Sequence, residues 1–162
     1  MKKISYLLVI ISVLLCTCRK IEKYSDIPKI KFISFEKYYD EHTQNGAILT
    51  FSFQDGNGDI GLNDSDNYPP FDTSSIYYYN FFCDYYEKQN GKFEKVELPG
   101  TLNARIPRLS KLQEESINGE IYLRMPFYYD SFSSYDTIQL KFYIVDRKLN
   151  KSNVEEVITT KR

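Results

Sequence analysis

The chain has 162 residues, with 21 Lys and Arg against 22 Asp and Glu, one His, and an aromatic load of 15 Tyr and 11 Phe without Trp. A slightly acidic balance of this kind leaves no electrostatic footprint for nucleic acid, or for an anionic lipid surface, as the main partner. Of the 3 cysteines only Cys83 lies beyond residue 18, so no intramolecular disulfide can form there and the fold has to rest on its core.

The N-terminus reads as a secretion signal. Lys2 and Lys3 are followed by an apolar run from Tyr6 to Leu15, well short of the roughly 20 residues a membrane-spanning helix needs. Arg19, Lys20, Glu22 and Lys23 then end the apolar character. The segment Leu15-Cys16-Thr17-Cys18 resembles the lipobox of bacterial lipoproteins, with Leu three residues before the modified Cys. Leu15 is too large to sit in the small-residue subsite ahead of Cys16, so Cys18 is the expected acceptor. The resemblance implies cleavage before Cys18, a thioether to a diacylglyceryl group, and acylation of the freed amine. One chain binds a membrane marginally, at about 0.8 kcal/mol per buried methylene, whereas two or three make release negligible. An ordinary signal peptide with chance cysteines is the competing reading. The expected organisation is a signal peptide over 1–17, an acylated Cys and tether over 18–28, and one β-domain over 29–162. Loss of Lys2 and Lys3 leaves 19 basic residues against the 22 acidic ones.

Beyond Pro28 the chain alternates apolar and polar residues with period two, broken by turn residues. Ile30, Phe32, Ile33 and Phe35 mark a first strand, and Ala47, Leu49, Phe51 and Phe53 form the inward face of a second, introduced by Asn45-Gly46. A long loop rich in Asp, Asn, Gly and Pro runs from Gln54 to about Ser75. Within it, Asp55-Gly56-Asn57-Gly58-Asp59 places oxygen-bearing side chains at every second position. Hard cations want six to eight oxygens at about 2.3–2.6 Å, and the spacing resembles a calcium loop. With Asp55 first, Asn57 is third, Asp59 fifth, Gly61 seventh, Asn63 ninth and Asp66 twelfth. Ile60 stands where such a loop has its turn glycine, and Asp66 replaces the bidentate Glu. No helices flank the loop, so it is not an EF-hand. These six residues are the candidate Ca2+ ligands, with an expected Kd of about 10⁻⁴ to 10⁻³ M. The competing reading is a polar loop whose Asp and Asn side chains bond their own backbone.

Strands are then expected over 76–88 and 92–98 around Asn90-Gly91, a strong hairpin signal. That turn pairs Tyr85 with Val96 and Cys83 with Leu98, so that Phe81, Cys83, Tyr85, Val96 and Leu98 share one face and Cys83 is a small core residue. The stretch 99–120 is the least legible, with room for one helical turn over 109–117. Ile121, Leu123 and Met125 alternate again, as do Ile138, Leu140, Phe142 and Ile144. A turn over 146–153 leads to a last strand through Val154 and Ile158. The expected fold is all-β, an antiparallel sandwich of about seven strands.

Val145-Asp146-Arg147-Lys148-Leu149-Asn150-Lys151-Ser152 resembles the D-x-x-x-N-x-S turn joining the last two strands of bacterial immunoglobulin-like domains, with Leu149 where Gly is frequent. The whole chain, with its lipobox, aromatic strands and the run FQDGNGDIGL, resembles uncharacterised lipoproteins of Bacteroidetes. That likeness implies an immunoglobulin-like sandwich anchored by lipid to the outer membrane, facing periplasm or surface. Glycan capture, adhesion and accessory work in outer-membrane complexes are the roles it suggests.

Nothing in the sequence assembles a catalytic site. His42 lies in a charged loop, Cys83 on a buried strand face, and a His/Cys zinc site lacks ligands. The leading expectation is a non-catalytic binding or scaffold lipoprotein, with a glycan or an outer-membrane protein as partner. Tyr77, Tyr78, Tyr79, Phe82 and Tyr86, and the second group Phe127, Tyr128, Tyr129, Phe132 and Tyr135, are the aromatics that suit recognition. Alternatively these rings complete the core or cover a sheet. A structural envelope component and a glycan-active enzyme are the other functional classes.

Overall fold

A computed structural model of the protein describes residues 24–38, 46–109, 115–126 and 135–161. Cys18, His42 and the aromatic run Phe127 to Phe132 lie outside the described residues. β1 (Lys29–Tyr38), β2 (Gly46–Asp55) and β5 (Ile117–Pro126) form one antiparallel sheet in the order β1-β2-β5. β3 (Phe81–Gln89), β4 (Lys92–Lys95), β6 (Thr137–Ile144) and β7 (Glu155–Thr160) form the other, in the order β4-β3-β6-β7. The described residues form the seven-stranded antiparallel sandwich that the alternation predicts. β4 pairs with β3, whereas the fourth strand of a constant-type immunoglobulin domain joins the sheet of the fifth.

The core lies where the two alternating faces meet. Ala47, Leu49, Phe51 and Phe53 of β2 face Ile138, Leu140, Phe142 and Ile144 of β6, and all eight are buried. Phe51, Phe81 and Phe142 form a triangle across the sheets with ring centroids 5.6–5.9 Å apart. Each such ring contributes roughly 1.5–3 kcal/mol by leaving water, which is how a domain without disulfides is held. Phe32 and Phe35 both pack on this core although three positions separate them. A β-bulge between Phe32 and Ser34 absorbs the parity change, leaving Ile33 exposed. The edge of β1 is closed by side chains of the β7 region. The Ile30 N–H donates to Asn153 Oδ1 at 2.9 Å, Asn153 Nδ2 donates to the Ile30 carbonyl at 2.9 Å, and the Phe32 N–H donates to Glu155 Oε2 at 3.0 Å.

Three boundaries differ from the sequence expectation. β3 begins at Phe81, because Ile76–Tyr78 form a single 3₁₀ turn capped by Ser75, whose Oγ accepts from the Tyr77 N–H. The Asn90-Gly91 hairpin has the expected register, with the Val96 N–H bonded to the Tyr85 carbonyl at 3.0 Å. Its ladder stops before Leu98, and the Cys83 N–H turns instead to Asn103 Oδ1 at 3.0 Å. In β7 the inward residue is Val157, opposite Leu140, while Val154 and Ile158 are exposed. The suggested helical turn over 109–117 falls largely outside the described residues, and Ile117 already belongs to β5.

Strand directions place Lys29, Asp55, Phe81, Ile117, Ile144 and Glu155 at one end of the sandwich. Residues 24–28 arrive there and pack against it. The Gly56 N–H donates to the Ser25 carbonyl at 2.7 Å, and Asn118 Nδ2 donates to the Tyr24 hydroxyl at 3.1 Å.

Candidate functional site

The loop leaving β2 begins inside the molecule. Asp55 is fully buried, and Asn57 and Asp59 are more than nine-tenths buried. The Asp59 N–H donates to Asp55 Oδ2 at 2.8 Å and to Asn57 Oδ1 at 3.3 Å, so part of the loop does bond its own backbone. Two glycines set its path. Gly58 and Gly61 have φ values of 65° and 91°, a region that glycine enters without steric cost. A Cβ on Gly61 would stand 2.1 Å from the Pro107 carbonyl oxygen.

Asp146, two residues past β6, reaches the same place. One carboxylate oxygen from each of Asp55, Asp59 and Asp146 lies within 4.8 Å of the other two. Asp146 also organises its own turn: Oδ1 accepts from the Asn150 N–H and Oδ2 from Asn150 Nδ2, both at 2.8 Å. Within this turn Leu149 is held at φ 64°, a left-handed conformation. The Arg147 N–H donates to the Asp59 carbonyl at 3.3 Å and joins the turn to the loop.

Burial and mutual repulsion work in the same direction at this cluster. Asp59 is pushed up to about 6, first by burial and then by the Asp146 and Asp55 charges, with Lys148 and Arg108 opposing. Burial also raises Asp55, against the Asp59 and Gly58 N–H groups that hold it down, while Asp146 and Asp26 add to the rise. Asp55 Oδ1, Asp59 Oδ1, Asn57 Nδ2 and Arg108 Nη1 are buried without a hydrogen-bond partner. Such atoms cost about 1–3 kcal/mol each, more when charged.

Two of the six residues expected to hold calcium, Asp55 and Asp59, meet here, while Asn57 between them turns its Oδ1 to the Asp59 N–H. Gly61 serves close packing against Pro107. Asp66 accepts from Arg147 Nη1 and Nη2 and from the Asn63 N–H at 2.7 Å. Arg147 holds the Asp66 carboxyl below its usual range. Asn63 is exposed, and its carbonyl accepts from Arg105 Nη2 at 3.1 Å. An arginine clamp therefore occupies the second half of the loop, where the calcium spacing had placed ligands. The sequence reading missed Asp146 as a partner of the cluster, and Arg105 and Arg147 as the clamp. The available signal was that both Asp-containing turns follow the most completely buried strands.

Elsewhere some outward rings are covered by neighbours, while Tyr68 and Tyr122 stay exposed. Phe82 stacks on Tyr143 with centroids 5.0 Å apart, Lys151 lies 3.7 Å over Tyr143, and Lys141 lies 5.0 Å over Tyr86. Tyr78 is capped by Arg105 at 5.0 Å. A cleft of about 320 Å³ lies between β3 and residues 95–103, reaching Cys83. Burial, then Asp84, pushes the Cys83 thiol up to about 12, so it stays protonated and unreactive at neutral pH. No protein-family model, curated protein or solved structure matches this chain.

Proposed function

We propose that the protein is a non-catalytic binding or scaffold lipoprotein of the bacterial cell envelope, anchored through Cys18 to the outer membrane. The observation that carries this reading is the docking of residues 24–28 on one end of the sandwich, through Ser25, Tyr24 and a buried Pro28. With Tyr24 fixed, only six residue steps separate the domain from an acylated Cys18, a reach of at most about 20 Å. The lipid anchor then holds the sandwich close to the bilayer by its 24–28 end. Tyr38, Gly46, Pro126 and Thr137 stand at the opposite end, facing away. A rigid, closely tethered sandwich suits presentation of a surface to an envelope partner, either a glycan or an outer-membrane protein.

Labelling cells with palmitate tests the anchor. The wild type takes up label and fractionates with membranes, and Cys18→Ala loses both; label retained in the variant refutes the acceptor assignment. Cross-linking in intact cells followed by purification, with a glycan array on the same protein, tests binding. A defined protein or sugar partner supports the reading. Absence of both, with an altered envelope on deletion, assigns the protein to the purely structural class instead.

A further inference from the structure

We propose that Asp55, Asp59 and Asp146 bind one divalent cation of calcium size, which joins the loop leaving β2 to the β6–β7 turn. Three carboxylates at one point are common on protein surfaces and carry little weight alone. These differ in being inside. Asp55 and Asp146 are 0 % and 2 % exposed and Asp59 is 9 % exposed. A second observation points to a ligand: Asp55 Oδ1 and Asp59 Oδ1 are both buried with no hydrogen-bond donor. A buried carboxylate oxygen without a donor is a costly arrangement, and a cation bound by both oxygens removes it.

The chemistry selects the ion. Every side-chain donor is oxygen, so a hard cation is favoured over zinc or copper, which prefer nitrogen and sulfur. Ligand oxygens within 4.8 Å of one another fit around a single ion at about 2.3–2.6 Å from each, the calcium range, since opposite ligands then lie up to about 5 Å apart. Magnesium, at about 2.0–2.1 Å, needs a tighter octahedron and gives up its water reluctantly. Asp146 keeps a free lone pair on each oxygen after its bonds to Asn150, so it can bind the ion without releasing the turn. Arg108 and Lys148 offset the negative charge from nearby, yet Arg108 Nη1 makes no hydrogen bond of its own. The ligand set differs from an EF-hand spacing, because its third carboxylate comes from 87 residues beyond Asp59, across the sandwich end.

The test uses the full-length protein in detergent, with calorimetric titration of Ca2+ and thermal unfolding in EDTA, Ca2+ or Mg2+. A Kd of about 10⁻⁴ to 10⁻³ M is expected, with a Tm rise of at least about 4 °C at 10 mM Ca2+ and a smaller one with Mg2+. Asp59→Asn relieves buried repulsion, so it should fold, keep or raise its Tm in EDTA, and lose the calcium response. Asp146→Asn should lose the response as well, while Asp66→Asn should lower Tm and keep it. No binding heat and no Tm shift in the wild type overturns the proposal. So does a calcium response that survives in Asp59→Asn and Asp146→Asn, or one that disappears in Asp66→Asn.

Discussion

Asn80, the residue just before β3, is the sharpest probe of how the illegible middle of the chain is held. It is 4 % exposed, and its amide serves both backbone groups of Ile106: Oδ1 accepts from the Ile106 N–H at 2.6 Å and Nδ2 donates to the Ile106 carbonyl at 2.9 Å. Asn80→Ala takes the acceptor from the buried Ile106 N–H, at about 1–3 kcal/mol, and removes a second bond worth about 0.5–1.5 kcal/mol. The Ile106 carbonyl keeps the Leu62 N–H at 3.0 Å, so it is not orphaned. The expected loss is therefore about 2–4 kcal/mol, or roughly 1–3 M in the urea midpoint for a domain of this size. Asn80→Asp separates the two bonds. Its carboxylate still accepts from Ile106 but sets a second oxygen against a carbonyl, and burial raises its folded pKa above that of the unfolded chain. Stability should then approach wild type below about pH 4, where the acid is protonated and donates, and fall as pH rises through the folded pKa. Urea titrations at several pH values measure this. A loss under about 1 kcal/mol in Asn80→Ala, or an Asn80→Asp variant insensitive to pH, refutes the account.

Gly61→Ala should cost at least about 3 kcal/mol or prevent folding, because the new Cβ meets the Pro107 carbonyl oxygen at 2.1 Å in a left-handed backbone; thermal unfolding reads it. Lys161 Nζ lies 2.7 Å from Glu87 Oε1, with both side chains at least 96 % buried. Lys161→Met should cost about 3–5 kcal/mol, and the double variant with Glu87→Met should recover most of it, read as a coupling energy in a denaturant cycle. In EDTA, the raised folded pKa of Asp59 gives stability that is full below its ordinary 3.8 and lost as pH rises through about 6. Asp66, held low by Arg147, contributes in the opposite sense, with stability lost as pH falls below 3.8. Urea midpoints across this range should decline less toward neutral pH in Asp59→Asn than in the wild type; identical slopes contradict the assignment.

Strands with one buried face were legible because parity alone assigns every side chain, as in Ala47 to Phe53 and Ile138 to Ile144. Parity failed where local geometry or pairing decides. Phe32 and Phe35 need a bulge that no single residue announces. In Val157-Ile158 two equivalent aliphatic neighbours compete for one inward position, and the pairing with Leu140 selects the first. The tyrosines after Ser75 favour a strand by composition, yet the Ser75 cap closes a 3₁₀ turn first. At the acidic site, Asp55, Asn57 and Asp59 were visible because they are local in sequence. Asp146 was visible only as a turn residue, and Asp66 looked like a ligand until Arg147 claimed it.

Among the described residues, the two ends of the sandwich carry opposite electrostatic arrangements. Away from residues 24–28, the buried Glu87 carboxylate meets the Lys161 ammonium and the Tyr85 hydroxyl, a matched set that needs nothing from solution. At the end where residues 24–28 arrive, Asp55, Asp59 and Asp146 converge, and Asp26 adds to the repulsion felt by Asp55. Lys148 and Arg108 meet this charge only in part, and burial with the Asp146 and Asp55 charges still pushes Asp59 up to about 6. The Gly56–Ser25 bond sits next to Asp55, so the proposed ion would also bear on the junction of residues 24–28 with the sandwich.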